Sequence, residues 1–209
     1  MTANSGEPIS IATERGDIRC IYHAGRTDGG AVVWVGGTDG GFDGPAEAIY
    51  PTLADDLLAD GVGSLRLDFR LRQAPGDVDE GAHDVLAGIA YLQEKGAQRI
   101  GLVGHSYGGA VVITAAVLSQ RRGKRIDAVV TLSTQTAGTT LTPELQAPLL
   151  LVHGELDWRL PPSCSRHVHS IAPAPKTLVI LPGAKHSLRQ RRDELRRLLN
   201  TWLVERLQG

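Results

Sequence analysis

Cysteine is almost missing from this chain of 209 residues: Cys20 and Cys164 are its only two, and they stand far apart. That spacing excludes a CxxC redox or zinc pair and any disulfide framework, so both read as buried or incidental thiols. Aromatic side chains are scarce as well, with two Phe, three Trp and four Tyr. Positive charge is not in excess: 22 Lys and Arg against 23 Asp and Glu give a formal net charge of −1. A nucleic-acid binder needs a basic footprint and, for single strands, stacking platforms, so no nucleic-acid partner is expected. Uncharged apolar runs stay well short of the roughly 18 residues of a membrane span, and no membrane partner is expected either. The opening MTANSGEPISIATERGD has neither a basic start nor the apolar stretch of about 7–15 residues that marks a secretory signal, which points to a cytoplasmic location.

What is present is an ordinary globular composition, 42% hydrophobic and 22% charged, which disfavours a disordered or collagen-like chain. At about 100–200 residues per domain the length predicts one domain over 1–209, with residues 1–7 a flexible head. PISIATE and DIRCIYH, separated by Arg15-Gly16-Asp17, read as an antiparallel hairpin. From Ala31 onward the runs AVVWV, GSLRLDF, RIGLVG, DAVVTLS, PLLLVH and KTLVIL read as short strands buried on both faces. Helical stretches lie between them. Over 77–93, Val78, Ala82, Val85, Leu86, Ile89 and Ala90 recur at helical spacing, and Asp77 with Glu80 predicts a capping box. Strand alternating with helix requires crossover connections, so the fold class is α/β: a doubly wound, mostly parallel sheet with helices on both faces. In such sheets chemistry gathers beyond the carboxyl ends of the strands.

RIGLVG runs into Gly104-His105-Ser106-Tyr107-Gly108-Gly109 and then a helical stretch over 110–120. This is G-x-S-x-G between strand and helix, where a sharp turn exposes a serine and small neighbours are needed on either side. The alternative is a glycine-rich turn that only packs a helix on a strand; phosphate binding is disfavoured because neither GxGxxG nor GxxxxGK[ST] occurs. A serine nucleophile needs a base oriented by a third group. Asp157 follows the strand PLLLVH and His186 follows KTLVIL, giving the order Ser, acid, His. His186 would take the Ser106 proton while Asp157 fixes its tautomer. Glu155 competes with Asp157, which is preferred because it precedes the x-x-Leu-Pro exit ending at Pro161.

Of the other histidines, His105 and His153 precede their turns and read as local packing, His23 belongs to the hairpin and His83 to a helix. His167 and His169 form an HxH pair with no further ligand cluster, so they read as solvated surface and no metal is expected. The loop Val35-Gly36-Gly37-Thr38-Asp39-Gly40-Gly41 is placed to supply a backbone N–H to an oxyanion hole, from Thr38 first or Gly37 second, with the N–H of Tyr107 as its partner. Arg70, Arg72 and Arg159 fall near the same edge and are candidates to hold a substrate carboxylate, against the alternative that loop arginines are solvated. The C-terminal leucines, from Leu188 to Leu207 with Trp202, form an amphipathic packing face, and a monomer or homodimer is expected.

At these residues the chain resembles the α/β-hydrolase superfamily, and within it the small, capless members similar to dienelactone hydrolase and single-domain carboxylesterases. The resemblance spans about 31–207 and rests on Gly104 to Gly109, on His153-Gly154-x-x-Asp157-x-x-Leu160-Pro161 and on Gly183-x-x-His186. It implies a sheet of about eight strands, a Ser-Asp-His triad and no cofactor. Three departures stand out: Gly36-Gly37 replaces the usual His-Gly before the oxyanion residue, serine replaces the cysteine of true dienelactone hydrolases, and serine also replaces the aspartate of the related dehalogenases. Only 134–147 separate DAVVTLS from PLLLVH, whereas a helical lid needs two or more helices of about 11–12 residues. An open cleft and a small-molecule ester or thioester substrate are therefore expected. The alternatives are a catalytically silent scaffold that binds a ligand or protein, and an acyltransferase or C–C hydrolase using the same triad.

Overall fold

The computed structural model describes residues 6–71, 77–173 and 175–208. Its centre is an eight-stranded sheet: β1 (Glu7–Ile11), β2 (Ile18–His23), β3 (Gly30–Val35), β4 (Gly63–Asp68), β5 (Arg99–His105), β6 (Ala128–Leu132), β7 (Leu149–Gly154) and β8 (Lys176–Leu181). The strand order is β1-β2-β4-β3-β5-β6-β7-β8. β1 and β2 pair antiparallel as the hairpin pattern predicts, and β2 also meets β4 antiparallel. Every pairing from β4 through β3 to β8 is parallel. That direction forces crossovers, and helices supply most of them: α1 (Pro45–Ala59), α2 (Val78–Glu94), α3 (Tyr107–Arg121) and α4 (Ser163–Ile171), with α5 (Arg192–Leu207) closing the chain.

Two apolar layers sandwich the sheet. Valines and leucines that alternate along the strands send Val33, Leu65, Leu67, Leu102 and Val129 towards α2, α3 and α4. Their neighbours Val32, Trp34, Val103, Val130 and Val152 face α1 and α5. β3, β4, β6 and β7 are buried along their whole length. β8 departs from expectation: only Leu181 is fully buried, because it is the edge strand of the sheet, a position that KTLVIL read by itself does not reveal. α5 seats Leu195, Leu199, Trp202, Leu203 and Leu207, and its Arg196 pairs with Asp56 of α1 at 2.6 Å.

Two helix starts shape the functional edge. Asp77 caps α2 by accepting the N–H groups of Asp79 at 2.9 Å and Glu80 at 3.2 Å. The predicted reciprocal half of the box is replaced, since the Glu80 carboxylate pairs with Arg15 and Arg70. α1 opens with Ala46, Glu47 and Ala48 in the left-handed region at φ 52, 56 and 61°, a conformation unfavourable for L-residues by about 1–2 kcal/mol each. Cross-chain hydrogen bonds hold it: the Ala46 N–H donates to the Ser187 carbonyl at 2.8 Å and Arg192 Nε donates to the Ala46 carbonyl at 3.0 Å. The exit of the glycine-rich loop after β3 is thereby tied to the segment that follows His186. Between β6 and β7 stands only a three-residue 3-10 turn, Thr142–Glu144, so no lid crosses the sheet edge there.

Candidate active site

β5 ends in the turn that carries Ser106. Its backbone sits at φ 56°, ψ −117°, a sharp and sparsely populated conformation for a residue with a Cβ. Hydrogen bonds on both sides maintain it: the Ser106 N–H donates to the Leu132 carbonyl at 2.8 Å and the Ser106 carbonyl accepts from Gly109 at 3.0 Å. The motif glycines have a steric reason. A Cβ on Gly104 would collide with the backbone of Gly108, and a Cβ on Gly108 would collide with the Gly36 carbonyl. Tyr107 then opens α3, so its N–H has no acceptor within the helix. Its side chain points elsewhere, with the hydroxyl donating to the Asp77 carbonyl at 2.6 Å and the ring against Phe69.

Asp157 and His186 meet beyond the ends of β7 and β8. His186 Nδ1 lies 2.7 Å from Asp157 Oδ2. Since a carboxylate accepts and the ring must donate, Nδ1 carries the hydrogen and the Nε2 lone pair is left for a proton acceptor's role. The acid is fixed on its other oxygen as well, where Oδ1 accepts the N–H groups of Arg159 and Leu160, each at 3.0 Å. Gly154 lets the two loops approach: a Cβ there would stand 2.5 Å from the Ala184 carbonyl oxygen and 2.6 Å from that of Lys185. Glu155, the competing acid, is exposed and accepts instead from the Gly183 N–H at 2.9 Å. Among the described residues the Ser106 hydroxyl makes no hydrogen bond, and catalytic contacts of this kind often close only when substrate is bound.

Two histidines read from sequence as local packing stand at the site. The ring of His105, next to Ser106, lies 4.9 Å from that of His186 between centroids, and its Nε2–H donates to the His186 carbonyl at 3.2 Å. Burial, reinforced by the neighbouring His186, pushes His105 down to about 4, so it is a neutral donor near pH 7. His153 sits behind Asp157, its Nε2 at 3.2 Å from Oδ2. The signal that could have found them is position: each directly precedes or flanks a motif glycine.

The glycine-rich loop after β3 flanks the serine. A Cβ on Gly37 would lie 3.5 Å from Ser106 Cβ, and half-buried Thr38 follows it. Asp68, buried at the end of β4, pins this loop by accepting the Gly41 N–H at 2.8 Å, a contact nothing in the sequence pattern announced. The three arginines have separate fates. Arg70 is committed: Nε pairs with Asp84 at 2.5 Å, Nη2 with Glu80 at 2.9 Å, and Nη1 donates to the Arg15 carbonyl at 2.7 Å. That network withdraws it from the role of substrate anchor predicted for it. Arg72 lies outside the described residues. Arg159 is exposed beside the acid and has no ion-pair partner among the described residues. Leu156 and Trp158, 53% and 82% exposed, line the same loop. No group of three or more His, Cys, Asp or Glu suited to a metal occurs among the described residues, and no helix among them is long and apolar enough to cross a membrane.

Comparison with known proteins agrees with this fold. Residues 82–156 match the model of a PGAP1-like alpha/beta domain. An uncharacterized protein of Escherichia coli O157:H7, YfhR, is 28% identical over 120 residues, a match that spans 47% of this chain and 42% of that relative. Among solved structures, the dienelactone hydrolase of Anabaena variabilis superposes with a TM-score of 0.84 at 19% identity, covering 97% of this chain and 98% of the other. Est1E of Butyrivibrio proteoclasticus gives 0.79 at 17% identity over 95% and 98%. XC6422 of Xanthomonas campestris, described as an a/b serine hydrolase without lid, gives 0.77 at 17% identity over 98% and 96%. A positive-φ serine between β5 and α3, an acid after β7, a histidine after β8 and full-length superposition on these structures converge: the chain has the α/β-hydrolase fold in a small, eight-stranded form.

Proposed function

We propose that the protein is a serine hydrolase that cleaves small, soluble carboxylic esters or thioesters through an acyl-enzyme on Ser106. The observation that carries this reading is the shared sheet edge of a strained Ser106 at φ 56° and a His186–Asp157 pair at 2.7 Å. His186 Nε2 takes the hydroxyl proton as Ser106 Oγ attacks the substrate carbonyl carbon. The tetrahedral oxyanion is met by the N–H of Tyr107 and by that of Thr38, with Gly37 the alternative donor. His186 then returns the proton to the leaving alcohol or thiol. Water, deprotonated by the same nitrogen, hydrolyses the acyl-enzyme and frees the acid. Arg159, exposed beside the acid, is the remaining described arginine suited to a substrate carboxylate.

Substrate size follows from the connection after β6. With only the turn Thr142–Glu144 there, little apolar wall surrounds the acyl chain. Each methylene beyond the pocket should then gain far less than the roughly 0.8 kcal/mol of full burial. The test is kcat/KM on p-nitrophenyl esters of increasing acyl length. It should peak between acetyl and butyryl and decline afterwards; a rise continuing to octanoyl would overturn the open-cleft reading.

A further inference from the structure

His105, the last residue of β5, stands directly before Ser106 and outside the Ser-Asp-His set. Its ring meets two loops. A Cβ on Gly37 of the glycine-rich loop would stand 3.6 Å from Nδ1. The His186 ring lies 4.9 Å away between centroids, tilted by 49°, and Nε2 is 3.2 Å from the His186 carbonyl oxygen. A carbonyl only accepts, so Nε2 bears the hydrogen, and the low proton affinity of His105 keeps the ring neutral near pH 7. The segment after β8 is held peptide by peptide. The Lys185 carbonyl accepts from the Leu188 N–H at 2.9 Å, and the Ser187 carbonyl accepts from the Ala46 N–H at 2.8 Å. The His186 carbonyl between them finds its partner in a side chain, that of His105.

We propose that His105 is a positioning residue, whose Nε2–H tethers the His186 main chain to the strand end that carries Ser106 and so sets the spacing between base and nucleophile. The inference rests on reading Ser106, Asp157 and His186 as a triad. Asp157 holds the base from β7, at its ring, through Nδ1 at 2.7 Å. One such bond leaves the ring free to swing about it, and a second anchor on the main chain removes that freedom. The freedom is costly, because a general base must come within about 2.6–3.2 Å of the group it deprotonates and a misplacement of about 1 Å can cost about 10²-fold. Since tether and nucleophile are consecutive residues, any displacement of the β5 end carries both together.

Two variants separate the tether from the packing. His105→Phe keeps a ring beside Gly37 and His186 and removes the donor; His105→Gln removes the ring and keeps an N–H at about the reach of Nε2. In His105→Phe kcat should fall about tenfold with KM unchanged, less than the cost of a full misplacement. The amides of Leu188 and Ala46, whose acceptors flank the His186 carbonyl, should exchange faster with deuterium in that variant. His105→Gln should return both readouts close to wild type. A loss confined to His105→Gln, equal losses in the two variants, or no loss in either would show that the ring only packs, and would overturn the tether. Should His105→Phe not fold, 15N NMR of the wild-type protein decides: a hydrogen on His105 Nε2 supports the assignment, and one on Nδ1 overturns it. Exchange and NMR need no turnover, so the Nε2–H tautomer and the faster exchange in a protein that cleaves no ester would refute the hydrolase reading and retain the tether.

Discussion

Two charged clusters stand at the same edge of the sheet, and they differ in what they leave open. Beyond β4, Arg70 meets Asp84, Glu80 and the Arg15 carbonyl, so its guanidinium is occupied on every side. Beyond β7 and β8, Asp157 is just as fully engaged, by two backbone N–H groups and the ring N–H of His186, with His153 Nε2 3.2 Å away. There, however, the chain of hydrogen bonds ends on His186, whose Nε2 has no partner among the described residues. A closed ion-pair network stiffens a corner, whereas a network with one open lone pair can move a proton. Burial does not distinguish them, since the Asp84 and Asp157 side chains are 3% and 0% exposed.

The largest effect expected from breaking this contrast is in Asp157→Asn. The amide preserves shape but favours the wrong His186 tautomer, and turnover should fall by about 10⁴, the size seen for the equivalent change in a serine protease. Glu155→Gln, on an exposed residue that only caps the Gly183 N–H, should leave kcat/KM near wild type. The reverse ranking in steady-state assays would move the acid to Glu155.

The β4 cluster should respond in the opposite currency, stability. Asp84→Asn leaves a nearly buried Arg70 with one carboxylate fewer and should cost about 3 kcal/mol in urea unfolding. Its kcat/KM, measured well below the transition, should be unchanged. A loss of kcat/KM at full folding would place Arg70 in the site after all.

How much of this the sequence discloses depends on whether the feature is local. The turn around Ser106 is legible because strand, small residues and helix lie within a dozen positions. Asp157 and His186 are legible because each follows its own apolar run. Arg70 was misjudged because its partners, Asp84 and Glu80, sit in the next helix. The left-handed turn at 46–48 is enforced by Ser187 and Arg192 from the far end of the chain, and the exposure of β8 by its place at the sheet edge. No window of neighbouring residues encodes either. His105 was legible as a residue but not as a donor, since its acceptor, the His186 carbonyl, comes from another loop; His153 donates to the Leu160 carbonyl in the loop that follows its own strand.

His105 gives a smaller, pH-dependent handle on the same site. Folded, it binds a proton only near pH 4; unfolded, it does so at the ordinary value near 6.5. Between those limits the unfolded chain holds the extra proton, so stability falls as pH falls, by up to about 1.4 kcal/mol per pH unit from this one group. His105→Gln should remove that one-proton contribution from the difference between urea unfolding at pH 7 and at pH 5. An undiminished difference would mean that His105 is not held neutral beside His186.

The central claim is that Ser106 is an activated nucleophile, and covalent capture tests it most directly. The folded protein is incubated with a fluorophosphonate probe and digested, and the modified peptide is mapped by mass spectrometry, with Ser106→Ala as control. Stoichiometric labelling on Ser106, absent from the equally folded Ser106→Ala protein, is the predicted result. An unlabelled wild-type protein, or a label carried elsewhere and undiminished in Ser106→Ala, would contradict it.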